Sequence, residues 1–327
     1  MEYLLLFSQN EFQSKVNYTY KRHFLLQENE LHLRTFTRPH TSRNNPQSTA
    51  CDKEVSRTAE QKNKLIVSYN MPHWWIIDFN FSHCECTRCQ IVYSQNINQA
   101  DIVLFDGVRL SIKSPPPRPT GQIWVVVGSE APIYYTGLLH TPQWRGVFNW
   151  TNTHHIDADI FVPYGLLVQR DYSPSSRTYY ESLAKSKTKL AVAVISHCQT
   201  KSLREEYIKE LQQYMAVDVY GFCGTKTACR KKNNTCLSEL VQPYTFLLAF
   251  ENSLCQDYVT EKFFRTFSDD FPVIPVVRGG TDYRSYFPHG TFIDASDFRC
   301  PKELAAYLKM IGNDPKNIAD MLEAKSR

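Results

Sequence analysis

Residues Phe246-Leu-Leu-Ala-Phe-Glu-Asn-Ser-Leu-Cys-Gln-Asp-Tyr-Val-Thr-Glu-Lys262 read as a strand, a polar loop and the start of a helix, with the chemistry gathered at the junction. The run Tyr244 to Phe250 is apolar and aromatic almost without interruption and is of strand length, the pattern of a strand buried on both faces of a parallel sheet. The loop behind it carries Glu251, Asn252, Asp257 and Tyr258, and Thr260 is placed to cap the helix that follows. Phe263, Phe264 and Phe267 fall on one face of that helix, leaving Glu261 and Lys262 in its first turn. Free backbone N–H groups and the positive end of the helix dipole favour an anion at this point.

The neighbouring sequence repeats the same alternation. Leu190 to Ile195 reads as a buried strand, Leu203 to Met215 as an amphipathic helix, and Val217 to Tyr220 and Val273 to Val277 as further strands. A last helix, Pro301 to Ile311, has proline in its first turn and Gly312 just past its end. Strands alternating with helices predict a parallel sheet wound right-handedly. Nearer the N-terminus, Leu65 to Tyr69, Ile102 to Phe105, Ile123 to Val127 and Ile160 to Val162 form a second set of apolar runs, and Pro115-Pro-Pro117 excludes a helix between them. The polar stretch Asp171 to Lys189, with a short helix over Tyr179 to Ala184, separates the two sets. Residues 1–63 hold few periodic apolar positions. The predicted organisation is a stem-like or disordered segment 1–63, an α/β domain 64–170, a linker 171–189 and a second α/β domain 190–327.

A chain of 327 residues that is 42% hydrophobic and 13% aromatic buries a sizeable core, and its length favours two domains. The net charge of +4 is weak, and the cluster Arg230-Lys-Lys232 is too short to be the basic stripe of a nucleic-acid binder. Ten cysteines, with sequons at Asn17, Asn80, Asn149 and Asn233, suit an oxidising secretory compartment. The apolar run Tyr3 to Phe7 falls far short of the ~20 residues that cross a bilayer.

The stretch 246–262 resembles the donor motif of the α1,3-fucosyltransferases, glycosyltransferase family 10, whose form is F-x-L-x-F-E-N-S-x-x-x-D-Y-V/I-T-E-K; every fixed position is present. The resemblance continues downstream through Val273-Ile-Pro-Val-Val-Arg-Gly-Gly280, Asp282-Tyr283, Tyr286, Pro288 and Phe298. Upstream it runs through Gln122-Ile-Trp124, Ser129-Glu-Ala-Pro132, Phe148-Asn-Trp-Thr151, Asp157-Ala-Asp-Ile160 and Pro163-Tyr-Gly165, covering roughly residues 64–312. It implies the GT-B architecture, two Rossmann-like α/β domains facing a cleft, with residues 64–170 on the acceptor side and residues 190–327 binding GDP-fucose. The family's members are usually type II Golgi membrane proteins, so the resemblance, closest to invertebrate forms, implies action in the Golgi lumen. It also carries the expectation that the N-terminal anchor and the C-terminal end are missing from this chain, with any membrane attachment made through that anchor. The sequon at Asn149 lies inside a family motif, which predicts a buried, unmodified side chain.

If the donor is GDP-fucose, its β-linked sugar goes to an α product by one in-line displacement, and the site must supply a base, stabilise an oxocarbenium-like sugar and neutralise a departing diphosphate. The resemblance assigns the base to Glu130, at the end of the strand Ile123 to Val127, with Ala131 in place of the family's usual serine. It assigns phosphate contacts to Lys262 and Arg204, the fucose hydroxyls to Glu261, and the lining of the same pocket to Asn252 and Tyr258. Taken alone, Glu130 reads as a turn residue before Pro132, Arg204 as a helix-start residue pairing with Glu205 or Glu206, Asn252 as a turn residue, Tyr258 as a core aromatic and Lys262 as a solvated first-turn lysine.

Two patterns compete with this reading. Asp157-Ala-Asp159 has the D-x-D form of metal-dependent glycosyltransferases, with His154 and His155 beside it. In the resemblance, however, His154, His155 and Ile156 stand where Tyr, Arg and Arg are usual, and no metal is obligatory, with Mn²⁺ at most stimulatory. The run His83-Cys84-Glu-Cys86-Thr-Arg-Cys89 has the ligand density of a zinc knuckle, but a secretory setting favours disulfides. Cys223 and Cys229 close the shortest loop and are the first pair expected. The predicted function is transfer of fucose from GDP-fucose to GlcNAc of a glycan on glycoprotein or glycolipid, with a catalytically impaired glycan- or nucleotide-binding relative as the alternative. Core GlcNAc and antenna lactosamine both remain open as acceptors.

Overall fold

In the computed structural model, residues 64–72, 89–169, 177–224 and 234–326 are described. The expected stem, the sequons at Asn17, Asn80 and Asn233, the run 83–88 and the basic cluster 230–232 lie outside them. Two separate parallel sheets organise the rest.

The first sheet holds β1 (Lys64–Ser68), β2 (Cys89–Tyr93), β3 (Ile102–Asp106), β4 (Ile123–Gly128), β5 (Trp150–Thr153) and β6 (Ile160–Phe161), in the order β2-β1-β3-β4-β5-β6. Its core gathers Val67, Val103, Phe105, Trp124 and Trp144, with the Phe105 ring centroid 4.9 Å from Trp124 and 5.8 Å from Trp144. Buried aromatics of this size each contribute about 1.5–3 kcal/mol through burial. The α/β expectation for this half is met differently from a repeating βα unit. Among its described residues the connections carry only short 3-10 turns, Pro132–Tyr134 and Gly137–His140, and no α-helix. The prolines at 115–117 and 132 account for part of this, since they break helical hydrogen bonding.

The second sheet follows α1 (Arg177–Lys185). Its strands are β7 (Lys189–Val194), β8 (Val217–Tyr220), β9 (Tyr244–Phe250), β10 (Ile274–Arg278) and β11 (Ile293–Asp294), in the order β11-β10-β9-β7-β8. All seven residues of β9 are buried, as the unbroken apolar run predicts. Its helices are α2 (Arg204–Leu211), α3 (Asn234–Val241), α4 (Glu261–Phe264), α5 (Tyr283–Tyr286), α6 (Pro301–Gly312) and α7 (Pro315–Ser326). The faces of α1, α2, α6 and α7 close one core over β7, β9 and β10 through Ala184, Ile208, Leu211, Leu304, Leu308, Ile318 and Leu322. Together the two parallel sheets, with α-helices packed on the second, make an α/β protein of the GT-B type.

In each sheet the chain first lays a strand on one side of its starting strand and then crosses to the other. The reversal falls between β1 and β3 in the first sheet and between β7 and β9 in the second. Crevices beyond the carboxyl ends of strands at such reversals are where open α/β sheets hold ligands.

Two expectations are corrected. Cys223 pairs with Cys198, not Cys229, with the two Cα atoms 5.6 Å apart. Because β7 and β8 are adjacent and parallel, the loops leaving their carboxyl ends lie side by side, and proximity in space overrides the shortest loop in sequence. Asn149 is exposed rather than buried, although its Oδ1 accepts from the Trp124 amide at 2.9 Å and from Arg118.

Candidate active site

The second crevice is assembled from the loop after β7 and the loop after β9, which are stitched together. The Ser202 amide donates to the Asn252 carbonyl at 3.0 Å, and the Ser202 hydroxyl to the Glu251 carbonyl at 2.7 Å. Three non-glycine residues among the described ones hold left-handed backbone: Gln199 at φ 61°, Leu203 at φ 52° and Asp257 at φ 58°. All three lie in these two loops, and each such residue costs about 1–3 kcal/mol that the surrounding packing must offset.

Arg204, 2% exposed, occupies the floor. Its guanidinium donates to the Phe250 carbonyl at 2.9 Å and to the His197 carbonyl at 2.9 Å, so one charge bridges the ends of both switch-point strands. It also contacts Glu205 at 3.4 Å, so the surface pairing read from sequence is present as well, but in a buried setting.

At the mouth, Thr260 caps α4 and Glu251 backs it. The Glu251 carboxylate, fully buried, accepts from the Thr260 amide at 2.8 Å and from the Thr260 hydroxyl at 2.8 Å. The Lys262 ammonium donates to the Thr260 hydroxyl oxygen at 2.8 Å and lies 3.4 Å from Glu251 and 3.2 Å from Glu261. Desolvation alone would lower the Lys262 pKa, but Glu251 and Glu261 outweigh it, so the amine is held above its ordinary value. Burial would raise Glu261, yet Lys262 and Arg265 beside it bring its carboxyl down to about 2. Burial raises Glu251, with Lys262 and the Thr260 donors acting against that rise.

The helix itself differs from expectation. Its α-turns end at Phe264 and continue as a 3-10 turn, Arg265–Phe267, so little macrodipole accumulates. Positive charge here comes chiefly from Lys262 and Arg204, with the aromatic face of Phe263 and Phe267 anchoring the turn in its own apolar cluster.

Glu130 enters from the first sheet, on the turn that leaves β4. Tyr258 reaches across from the second half, and its hydroxyl donates to Glu130 Oε2 at 3.1 Å. Burial, then the nearby Tyr164, Glu130, Glu251 and Glu261, push the Tyr258 phenol far up, so it stays protonated as a donor. His154 packs edge-on against the same ring, with centroids 5.0 Å apart; burial and the neighbouring His155 bring its pKa down to about 4. Asp257 accepts from the Ile156 amide at 3.3 Å and lies 3.5 Å from His155. Gly165, after β6, seats the first half on α4, since a Cβ there would stand 2.5 Å from Phe264.

Six residues singled out in the sequence thus fall into two groups. Glu130 and Tyr258 meet directly, while Arg204, Glu261 and Lys262 gather around the ends of β7 and β9. Asn252 lines the same loop with its Oδ1 buried and unpartnered, as are Ser253 Oγ and Asp257 Oδ1. Other buried atoms without a protein partner lie elsewhere in the fold, Ser68 Oγ and Tyr207 Oη among them; these three are the ones on the loop after β9. Of the D-x-D residues, the Asp159 carboxylate accepts from the Thr151 amide at 2.9 Å, and the Asp157 backbone amide donates to His155 Nδ1 at 3.3 Å. No group of three or more His, Cys, Asp or Glu residues converges as a metal site among the described residues. Cys89 is disulfide-bonded, so its sulfur is not a thiolate ligand. Sequence reasoning gave no role to Glu251; an acidic residue directly behind a fully apolar strand was the available signal.

The model described as Glycosyltransferase family 10 (fucosyltransferase) C-term matches residues 184–324, and that described as Fucosyltransferase, N-terminal matches residues 61–165. The chain belongs to glycosyltransferase family 10. It is 36% identical over 257 residues to Alpha-(1,3)-fucosyltransferase C of Drosophila melanogaster, covering 71% of this chain and 59% of the relative. To Alpha-(1,3)-fucosyltransferase 7 of Homo sapiens it is 34% identical over 228 residues, covering 68% of this chain and 62% of that one. The chain therefore spans about three fifths of the length of these relatives. A crystal structure of an alpha1,3-fucosyltransferase with GDP aligns at a TM-score of 0.48 and 16% identity, over 82% of this chain and 84% of that one. No helix among the described residues is long and apolar enough to cross a membrane.

Proposed function

We propose that this protein transfers fucose from GDP-fucose to a GlcNAc hydroxyl of a glycan carried on glycoprotein, with inversion at the anomeric carbon. The observation that carries the reading is the Tyr258–Glu130 hydrogen bond, which joins the donor loop to the one carboxylate expected to act as base. In this account the diphosphate lies over the ends of β7 and β9, where Arg204 and Lys262 supply charge as the leaving group departs. Glu261, kept ionised by Lys262 and Arg265, accepts hydrogen bonds from fucose hydroxyls. Asn252, with its unpartnered Oδ1, lines the donor pocket together with Tyr258.

Glu130 removes the proton of the acceptor hydroxyl as that oxygen attacks the fucose anomeric carbon and the bond to the diphosphate oxygen breaks. The neutral Tyr258 phenol steadies the carboxylate in the direction of attack. The Cys198–Cys223 disulfide supports an oxidising compartment, in keeping with work in the Golgi lumen. The test is release of GDP from GDP-fucose in the presence of core-GlcNAc or lactosamine acceptors, with the product linkage read by NMR. The reading expects acceptor-dependent release and an α-linked fucose; absence of acceptor-dependent release from folded protein would reject it.

A further inference from the structure

Lys262 is held in place by a residue to which the transfer chemistry gives no part. We propose that Glu251 is a positioning residue for that cation: its buried carboxylate fixes Thr260 and Lys262 together, so that the ammonium meets the leaving diphosphate already charged and oriented. This rests on the donor reading above.

Glu251 is 0% exposed, and a carboxylate so deeply buried is costly unless donors and a counter-charge face it. All of these converge on one point of the site. The Thr260 amide donates to Oε1 at 2.8 Å, the Thr260 hydroxyl donates to Oε2 at 2.8 Å, and Lys262 Nζ lies 3.4 Å from Oε2. The Thr260 hydroxyl oxygen in turn accepts from Lys262 Nζ at 2.8 Å, which closes a three-residue ring. A residue serving only to cap the loop would need acceptors for Thr260 and nothing more; here Oε2, besides accepting from the Thr260 hydroxyl, lies at ion-pair distance from the ammonium.

The charges facing Lys262 explain why that orientation matters. Glu251 and Glu261 favour the charged amine, while desolvation and the neighbouring Arg204 oppose it. Removing Glu251 leaves Glu261 alone against both. Arg265, on the next turn, is itself drawn to Glu261 at 3.8 Å, so Glu261 is shared between two cations. Glutamine at position 251 keeps the volume and an acceptor for Thr260 but turns an N–H toward the ammonium, which separates the two roles.

The experiment is a double-mutant cycle on GDP affinity by titration calorimetry with the full chain: parent, Glu251→Gln, Lys262→Met and the double variant. The proposal expects Glu251→Gln to weaken GDP binding at least tenfold at neutral pH, with a greater loss as pH rises toward 9. In the Lys262→Met background the same change should cost less than threefold, because the group it serves is gone. Equal losses in both backgrounds, or no loss in the parent, overturn the proposal. If Glu251→Gln does not fold, the double variant decides: its folding supports the proposal, since the charges are then removed as a pair, and its failure to fold overturns it. GDP binding absent from the parent chain would instead overturn the donor reading, and this inference with it.

Discussion

The two sheets present the same kind of crevice at their carboxyl ends and treat it in opposite ways. In the first, between β1 and β3, the opening is filled by the protein itself. Asn70 exchanges hydrogen bonds with the Asp106 backbone at 2.8 and 3.1 Å, and the Asp106 carboxylate is consumed by the Val108 amide and Arg109. The Tyr135 ring lies over the end of β4, where a Cβ on Gly128 would stand 1.8 Å from its hydroxyl oxygen. In the second, between β7 and β9, left-handed backbone and unpartnered buried polar atoms line an opening that Arg204 and Lys262 flank. One crevice has become packing and delivers a single carboxylate from its rim. Buried unpartnered atoms occur at both, Ser68 Oγ and Tyr135 Oη at the first and Asn252 Oδ1, Ser253 Oγ and Asp257 Oδ1 at the second, so what sets the second apart is its left-handed backbone and the two cations beside it.

The comparison breaks first at Glu130. Glu130→Gln should abolish acceptor-dependent turnover, by roughly 10²- to 10⁴-fold, while leaving GDP-fucose affinity near that of the parent. Calorimetry beside a turnover assay checks both, and loss of donor binding would move Glu130 into the donor pocket. Next come the second crevice's own charges. Lys262→Ala and Glu261→Ala should each raise the barrier by about 2–4 kcal/mol, comparable with removal of a preorganised electrostatic donor. Near-normal kcat/KM in either folded variant would count against the site.

His154 tests the seam between the halves through pH. Its pKa is about 4 in the folded state against 6.5 as the ordinary value, with burial the leading cause. The unfolded chain therefore binds more protons between those values, so stability is present above pH 6.5 and is lost as pH falls toward 4. In His154→Phe that loss should shrink by up to about 3 kcal/mol, read from urea unfolding at pH 7 and pH 4.5. Tyr258→Phe removes the hydrogen bond to Glu130 but keeps the ring, and should cost about 1 kcal/mol, seen mostly in kcat. The smallest expected effect is that of chelation: if Lys262 and Arg204 supply the diphosphate's counter-charge as proposed, turnover persists in EDTA. Loss on chelation restored by Mn²⁺ would revive the D-x-D reading.

The second half was the more legible in sequence for a physical reason. A strand buried on both faces, such as β9, must be apolar throughout, and its ends are marked by an abrupt change to polar residues, so Phe250 to Glu251 stands out. Short edge strands lack that contrast. The run at β6 was legible, but the edge strand β2 and the half-exposed β5 between β4 and β6 carry no apolar run, and the turns between first-sheet strands hold no helical pattern to bracket them. At Glu261 and Lys262 the motif marked the two charges that the fold brings together at the start of α4. Contacts that depend on three-dimensional closure were not legible: the motif includes Glu251, but nothing in it says that Thr260 folds back onto that carboxylate. Cys198 likewise meets Cys223 only because parallel pairing brings the ends of β7 and β8 together.

The central claim, that the opening between β7 and β9 holds the nucleotide while its counterpart in the first sheet does not, is tested most directly by photocrosslinking. A photoreactive GDP analogue would be irradiated with the full chain, with excess GDP as competitor, and the labelled peptides mapped by mass spectrometry. The account predicts GDP-competable label within residues 195–204 or 251–262. Competable label confined to residues 68–70 or 106–109, at the first sheet's crevice, would contradict it.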